Sequence, residues 1–145
     1  MKLAEITISY QPKLKSSELP KISGSRDAYN IFLQQWGNTL HYKESVNVLL
    51  LSRSNKVLGI SKISEGGLSG TVVDPKMIFQ TGLKANAASI IIAHNHPSGN
   101  TKPSHEDIKL TNRLIECGKF MDMPVLDHVI LADDLYFSFA DEGLM

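Results

Sequence analysis

The sequence predicts an α/β (α+β) fold with one β-sheet flanked by helices. Apolar runs of strand length occupy residues 45–51, 88–93 and 125–131. Segments with helical spacing and helix-start residues lie between them, and such interleaving is typical of a sheet covered by helices. The chain has 145 residues, of which 42% are hydrophobic. These values predict a single domain, residues 1–145, that can bury its own core.

The first 24 residues differ from the rest. Residues 3–10 roughly alternate apolar and polar side chains, which predicts a half-buried strand. Residues 11–24 are polar and contain Pro12 and Pro20, so we expect an irregular arm. The predicted domain therefore has an N-terminal strand and arm, followed by a core.

A first helix is predicted after this arm. Ser25 is a suitable N-cap for a helix that starts at Arg26, and Gly37 with Asn38 offers a stop. Apolar side chains then share one helical face: Ala28, Ile31, Phe32 and Trp36. We expect Trp36 to be part of the core rather than a platform for stacking a base.

A pair of strands should follow. The Val- and Leu-rich residues 45–51 predict a strand that is covered on both faces. Ser54 and Asn55 can form a turn into a second strand at residues 56–63. The glycines that follow Glu65 then break the pattern.

The second half of the chain alternates helices and strands. Asp74 as N-cap and Pro75 at the first helical position predict a helix that runs to about Ala85. Residues 88–93 predict a strand that is apolar on both faces. A helix from Ser104 to about Cys117 comes next, and Gly118 is its expected C-terminal cap. Two strands complete the prediction, at residues 125–131 and 136–139.

Charge and cysteine content limit the classes of function. Lys plus Arg and Asp plus Glu both number 15, so the chain lacks the basic excess of a dedicated nucleic-acid binder. This balance argues only weakly against DNA binding. Cys117 is the single cysteine, which excludes an intramolecular disulfide and suits a reducing compartment. With neither a signal peptide nor a membrane span in the sequence, we expect a cytoplasmic protein without a membrane partner.

His94 and His96 stand two positions apart at the end of an apolar run. Side chains with this spacing share one face of an extended chain, so both imidazoles can reach one ion. Asp107, at the start of the next helix, would add a carboxylate. Two imidazoles and one carboxylate leave a tetrahedral position open, which is the layout of a catalytic zinc site.

Each half of this motif has a simpler explanation. Histidine pairs on loops commonly bind nothing, and Ser104 with Asp107 also forms the pattern of a helix capping box. The two halves together favour a metal site. Residues 97–103 can bring the helix start beside the strand end, and the prolines in this loop restrict its geometry.

A hydrolytic zinc site also needs a base that takes a proton from water. Glu44 is the best candidate, because it directly precedes the buried strand at residues 45–51. An ordinary solvated glutamate would have the same sequence context.

Glu44, the His94-x-His96 pair, Ser104 and Asp107 together resemble the JAMM motif of MPN-domain metalloproteases. More narrowly, the residues from His94 to Gly99 and the sequence around His128 resemble the bacterial RadC branch. The resemblance covers residues from about 27 to 145. It implies a single mixed β-sheet flanked by helices, in the MPN-domain (cytidine deaminase-like) architecture. RadC proteins usually carry an N-terminal helix-hairpin-helix region, so we expect this chain to resemble the stand-alone domain only.

The resemblance also implies roles for residues. His94, His96 and Asp107 would hold Zn²⁺, Glu44 would be general base and acid, and Ser104 would stabilise the oxyanion of a tetrahedral intermediate. Members that act on ubiquitin-like tags cleave isopeptide bonds, so the expected partner is a peptide or isopeptide-linked protein substrate. RadC proteins are traditionally labelled DNA repair proteins.

The alternative is a nucleic-acid-associated module, linked to DNA repair, in which the metal site is structural or vestigial. A purely structural site has no need of Glu44, which favours the enzyme. The remaining histidines have weaker claims. We expect His105 to be a solvated helix residue, His41 to lie on the surface, and His128 to be packed or to support a ligand.

Overall fold

Within residues 1–66 and 72–145, which the computed structural model describes, five strands form one mixed sheet. They are β1 (Ser45–Leu51), β2 (Val57–Glu65), β3 (Ser89–Asn95), β4 (Val125–Leu131) and β5 (Tyr136–Ser138). Their order across the sheet is β2-β1-β3-β4-β5. β3 and β4 are parallel, and the other neighbouring pairs are antiparallel.

Helices cover both faces of this sheet. They are α1 (Ser25–Trp36), α2 (Pro75–Lys84) and α3 (His105–Phe120), and shorter 3-10 segments occupy Ser16–Glu18 and Gly37–His41. α1 packs on one face against Leu49 and Ile91, whereas α2 and α3 pack on the other against Val48 and Ile92. The prediction of a single mixed sheet flanked by helices is confirmed.

The alternation of side chains along β3 determines which residues face α3. Ile90 and Ile92 belong to the core beneath α2 and α3, while Ile91 and Ala93 belong to the core beneath α1. His94 continues the first set, so its side chain points toward the face that α3 covers.

The predicted strand at residues 3–10 is wrong. This segment has no regular secondary structure, and its apolar side chains are exposed, Ile6 by 84% and Ile8 by 77%. A strand is stable only when its backbone pairs with a neighbour, and no ladder in the described structure includes this segment. Its contact with the sheet is a hydrogen bond from the Tyr10 hydroxyl to the Leu58 carbonyl, 3.1 Å long.

Two predicted helix ends are also wrong. α1 already includes Ser25, whose hydroxyl lies 2.9 Å from that of Tyr136, and Gly24 is the N-cap. α3 continues past Gly118 to Phe120. A Cβ atom at Gly118 would lie 2.7 Å from the carbonyl oxygen of Met123, so the glycine permits close packing of the chain rather than ending the helix.

Asp74 caps α2 as predicted, since its carboxylate accepts a hydrogen bond from the N–H of Lys76. β2 ends at Glu65, where a break is expected, and Gly67 of that break lies outside the described residues. None of the helices in the described part of the chain has the length and apolar character needed to cross a membrane.

Candidate metal centre

The end of β3 brings distant parts of the chain together. β1 pairs with β3 so that Val46 is opposite His94, which places the preceding Glu44 near the histidines. The N–H of His96 donates to the carbonyl of Leu131, and this bond extends the pairing of β3 with β4 by one residue. α3 then begins beside this edge and contributes Asp107.

Ligand atoms of Glu44, His94, His96 and Asp107 all lie within 4.8 Å of one another. The Nε2 atoms of the two histidines are 2.9 Å apart. One carboxylate oxygen of Asp107 lies 3.4 Å from Nε2 of His94, and the other lies 3.3 Å from Nε2 of His96. The structure thus brings all four of these predicted residues into one cluster.

The donor set fits a metal ion. Nδ1 of His96 is 2.6 Å from the carbonyl oxygen of Asn100, which can only accept, so the ring donates there and Nε2 of the neutral ring is a lone pair. This lone pair faces His94 and the carboxylate of Asp107, so a metal ion placed between these acceptors would be bound by all of them. Ligands bound at 2.0–2.2 Å around a tetrahedral ion are separated by about 3.3–3.6 Å. The contacts of Asp107 with Nε2 of His94 and of His96, at 3.4 and 3.3 Å, are close to this separation.

Electrostatics within the cluster reinforce this arrangement. Burial disfavours the charged form of Asp107, but the nearby imidazoles of His94 and His96 outweigh it and hold the pKa of the carboxyl well below its usual range. The neighbouring carboxylate of Asp107 in turn raises the pKa of His96 above its ordinary 6.5. The carboxylate is therefore ionised at neutral pH, as a metal ligand must be.

The half-buried Glu44 is positioned through its neighbours. Asn95, which is fully buried, accepts a hydrogen bond from the N–H of Ser45. Its amide group donates to the carbonyls of Leu40 and Lys43, over 2.8 Å in each case. Asn95 therefore fixes the backbone on both sides of Glu44. The alternating faces of a strand could have indicated this residue, because Asn95 lies between two histidines that share the opposite face.

Ser104 forms the capping box. Its hydroxyl accepts from the N–H of Asp107, and its own N–H donates to the carboxylate of Asp107 over 2.8 Å. Accepting a hydrogen bond leaves the hydroxyl proton of Ser104 available to a substrate. The capping function and the predicted catalytic role are therefore compatible in one exposed side chain.

His128 and Thr111 lie behind the cluster. Nε2 of His128 is 2.7 Å from Nδ1 of His94, and Nδ1 of His128 is 2.6 Å from the hydroxyl of Thr111. Burial lowers the pKa of His128 well below its ordinary value, so the ring is neutral. Sequence reasoning considered His128 but missed Thr111. Thr111 could have been identified from its position four residues after Asp107, which places both side chains on the same face of the helix.

Other predicted positions lie outside the cluster. His105 is exposed and is not among the clustered residues, and His41 is exposed beside Asp133, 3.4 Å away. Trp36 is buried in the core beneath α1. Asp127, which directly precedes His128 on β4, connects this strand to β5 through its carboxylate. The carboxylate accepts hydrogen bonds from the hydroxyl of Ser138 and the N–H of Ala140. Burial raises the pKa of this carboxyl.

Comparison with known sequences identifies related proteins. The sequence model of the RadC-like JAB domain matches residues 22–144. A UPF0758 protein of Clostridium acetobutylicum is 41% identical over 131 residues, which is 90% of this chain and 56% of the relative. A UPF0758 protein of Flavobacterium johnsoniae is 40% identical over 127 residues, 88% of this chain and 55% of the relative. The chain thus spans little more than half the length of these relatives.

Proposed function

Because the chain belongs to the family of RadC-like JAB domains, we propose that it is a zinc-dependent hydrolase of the JAMM type that cleaves a peptide or isopeptide bond. Family and cluster together support a metal-dependent hydrolase in general. The observation that carries the finer proposal is the approach of Glu44 to the two histidines and Asp107, within 4.8 Å. It adds a carboxylate to a set that already supplies three ligands.

Zinc suits this set of donors. His94, His96 and Asp107 would supply two imidazole nitrogens and a carboxylate oxygen, which is a common combination in catalytic zinc sites. When bound, the ion would lower the pKa of water to about 7 and polarise the carbonyl group of a substrate.

Glu44 would accept a proton from the attacking water and deliver it to the leaving amine. Ser104 would donate a hydrogen bond from its hydroxyl to the oxygen on which negative charge develops, a contribution of about 3 kcal/mol for one such donor. The side chains of His96 and Asp107 are 17% and 15% exposed, so a substrate can reach the centre from the surface.

The proposed substrate is a peptide or an isopeptide-linked protein, because hydrolysis of an amide needs a group such as Glu44 that can protonate the leaving amine. The single Cys117 is consistent with action in the reducing cytoplasm. DNA repair remains the alternative role, in which the domain would bind nucleic acid and its metal site would be structural or vestigial.

The decisive experiment compares Glu44→Gln with the wild type on a panel of peptide and isopeptide conjugates. Glutamine has nearly the same size but cannot take the proton, so we expect a loss of roughly 10²–10⁴ in rate with the zinc retained. Glu65→Gln is the matched control, because Glu65 forms ion pairs with Lys43 and Lys62 and is not in the cluster.

Three outcomes would contradict the proposal. A wild-type rate in Glu44→Gln would show that Glu44 is not the base. Loss of zinc in that variant would make Glu44 a fourth ligand of a closed, structural site. A zinc-loaded wild type that cleaves no conjugate but binds DNA in a salt-sensitive way would favour the nucleic-acid module.

A further inference from the structure

We propose that Thr111 and His128 are positioning residues, which fix the tautomer of His94 so that its Nε2 lone pair points into the metal centre. The inference rests on metal binding by the proposed site and not on hydrolysis. It follows from a series of hydrogen bonds that begins at a backbone carbonyl and ends at His94, where each group has only one proton to give.

The series starts at α3. The hydroxyl of Thr111 lies 2.8 Å from the carbonyl oxygen of Asp107, four residues earlier in the helix. A carbonyl oxygen can only accept, so the single hydroxyl proton is donated to it. The opposite assignment would place two acceptor oxygens in contact at this distance. The hydroxyl must then accept at its other contact, 2.6 Å from Nδ1 of His128.

The second step passes through His128. This residue is 1% exposed, and no carboxylate of the described residues forms an ion pair with it, so the ring is neutral and carries one proton. That proton is on Nδ1, where Thr111 accepts it. Nε2 of His128 is therefore a lone pair, and it lies 2.7 Å from Nδ1 of His94.

The last step sets His94. Its Nδ1 must donate to His128, which leaves Nε2 as a lone pair in the neutral ring. That atom lies 2.9 Å from Nε2 of His96 and 3.4 Å from a carboxylate oxygen of Asp107. The tautomer that a metal requires is thus selected before any metal arrives.

Packing holds the His128 ring in the orientation that these hydrogen bonds need. The ring of His128 is stacked on Phe139, with centroids 4.6 Å apart and planes 6° from parallel. A flipped His128 ring would present carbon atoms to His94 and to Thr111, and would break both hydrogen bonds. Thr111 also contacts the backbone of Asp107, so one side chain supports two of the proposed ligands.

The test uses the metal-free protein and the variant Thr111→Val, which keeps the shape of the side chain but removes the acceptor. Proton–nitrogen correlation spectra of ¹⁵N-labelled histidines distinguish the tautomers. We expect His94 and His128 of the wild type to be protonated on Nδ1, and the variant to contain Nε2-protonated His94. Competition with a chelator should show a 10–100-fold loss of zinc affinity, and Thr111→Ser should restore both properties.

Thr81→Val is a matched control, since the Thr81 hydroxyl also donates to the carbonyl four residues earlier, that of Met77, but forms no hydrogen bond with a histidine among the described residues. It should change neither readout. An Nε2-protonated His94 in the metal-free wild type would overturn the inference, even if Thr111→Val failed to fold. So would a folded Thr111→Val with wild-type tautomers and affinity. A zinc-binding protein with the expected tautomers but no hydrolysis would contradict the proposed function alone.

Discussion

Asn95 accepts a hydrogen bond from the backbone N–H of Ser45, 50 positions earlier in the chain, over 2.8 Å. The amide group of the same side chain donates to the carbonyl of Lys43. Glu44 lies between Lys43 and Ser45, so Asn95 attaches the backbone of the proposed base to β3, the strand that carries His94.

Replacing Asn95 by alanine should therefore affect stability and the position of Glu44 together. The change leaves a buried N–H and two carbonyls without their partner, which should lower the free energy of unfolding by about 2–4 kcal/mol. Urea unfolding of the metal-free protein measures this loss. Asn47→Ala is the control, since its buried carboxamide oxygen has no hydrogen-bond partner among the described residues. Equal losses in the two variants would contradict the role of Asn95.

The purified protein should contain one tightly bound Zn²⁺ per chain. Metal analysis of His96→Ala should show that the zinc is lost, because only one imidazole and Asp107 remain of the three proposed ligands. His105→Ala provides the comparison, since this exposed histidine lies outside the cluster and its loss should leave the zinc content unchanged. Full zinc occupancy in His96→Ala would place the site elsewhere.

The stability gained from zinc should increase with pH. Asp107 raises the pKa of His96 above 6.5. In the metal-free protein, the protonated His96 therefore contributes stability that is fully present below the unfolded pKa and is lost as pH rises through the raised value. Zinc requires the neutral ring, so protons compete with it on the acid side. The difference in Tm between zinc-loaded and metal-free protein should be larger at about pH 8 than at about pH 6, and a constant difference would refute this competition.

Removing the metal should leave the protein folded. Buried clusters on both faces of the sheet form a core that does not involve the metal centre. Zinc should still add about 2.7 kcal/mol when the free metal is a hundredfold above its dissociation constant. Circular dichroism of the chelated protein checks this expectation, and a random-coil spectrum would show that the metal is required for folding, as in a zinc finger.

Sequence patterns predicted the elements whose signals are local. The apolar residues of β1 and β4 and the Asp74-Pro75 start of α2 indicate their structure without reference to the rest of the chain. Residues 3–10 show a strand pattern as well, but whether a strand forms depends on a pairing partner that periodicity does not reveal. The role of Gly118 could not be predicted for the same reason, because the close approach of the Met123 backbone to this glycine is a tertiary contact.

The candidate site was predictable where chemistry and short spacing coincide. His94, His96 and Asp107 lie within one strand–loop–helix unit, and the sequence also indicated Glu44. The residues that support the site were harder to predict, since a buried asparagine or threonine has no distinctive sequence pattern. Asn95 and Thr111 acquire their importance from the groups they contact, which only the fold determines.

The position of β3 at the centre of the sheet has a consequence for hydrogen exchange. Edge strands such as β2 open first, whereas amides of a central strand often exchange only when the whole domain unfolds. His94 belongs to β3, and the neighbouring β4 carries His128. Fraying of the edges would therefore leave His94 and the supporting His128 in place. Bound zinc should slow exchange at the amides of β3 by far more than at the outer amides of β2, so the metal would protect the domain against global unfolding while its edges remain free to fluctuate.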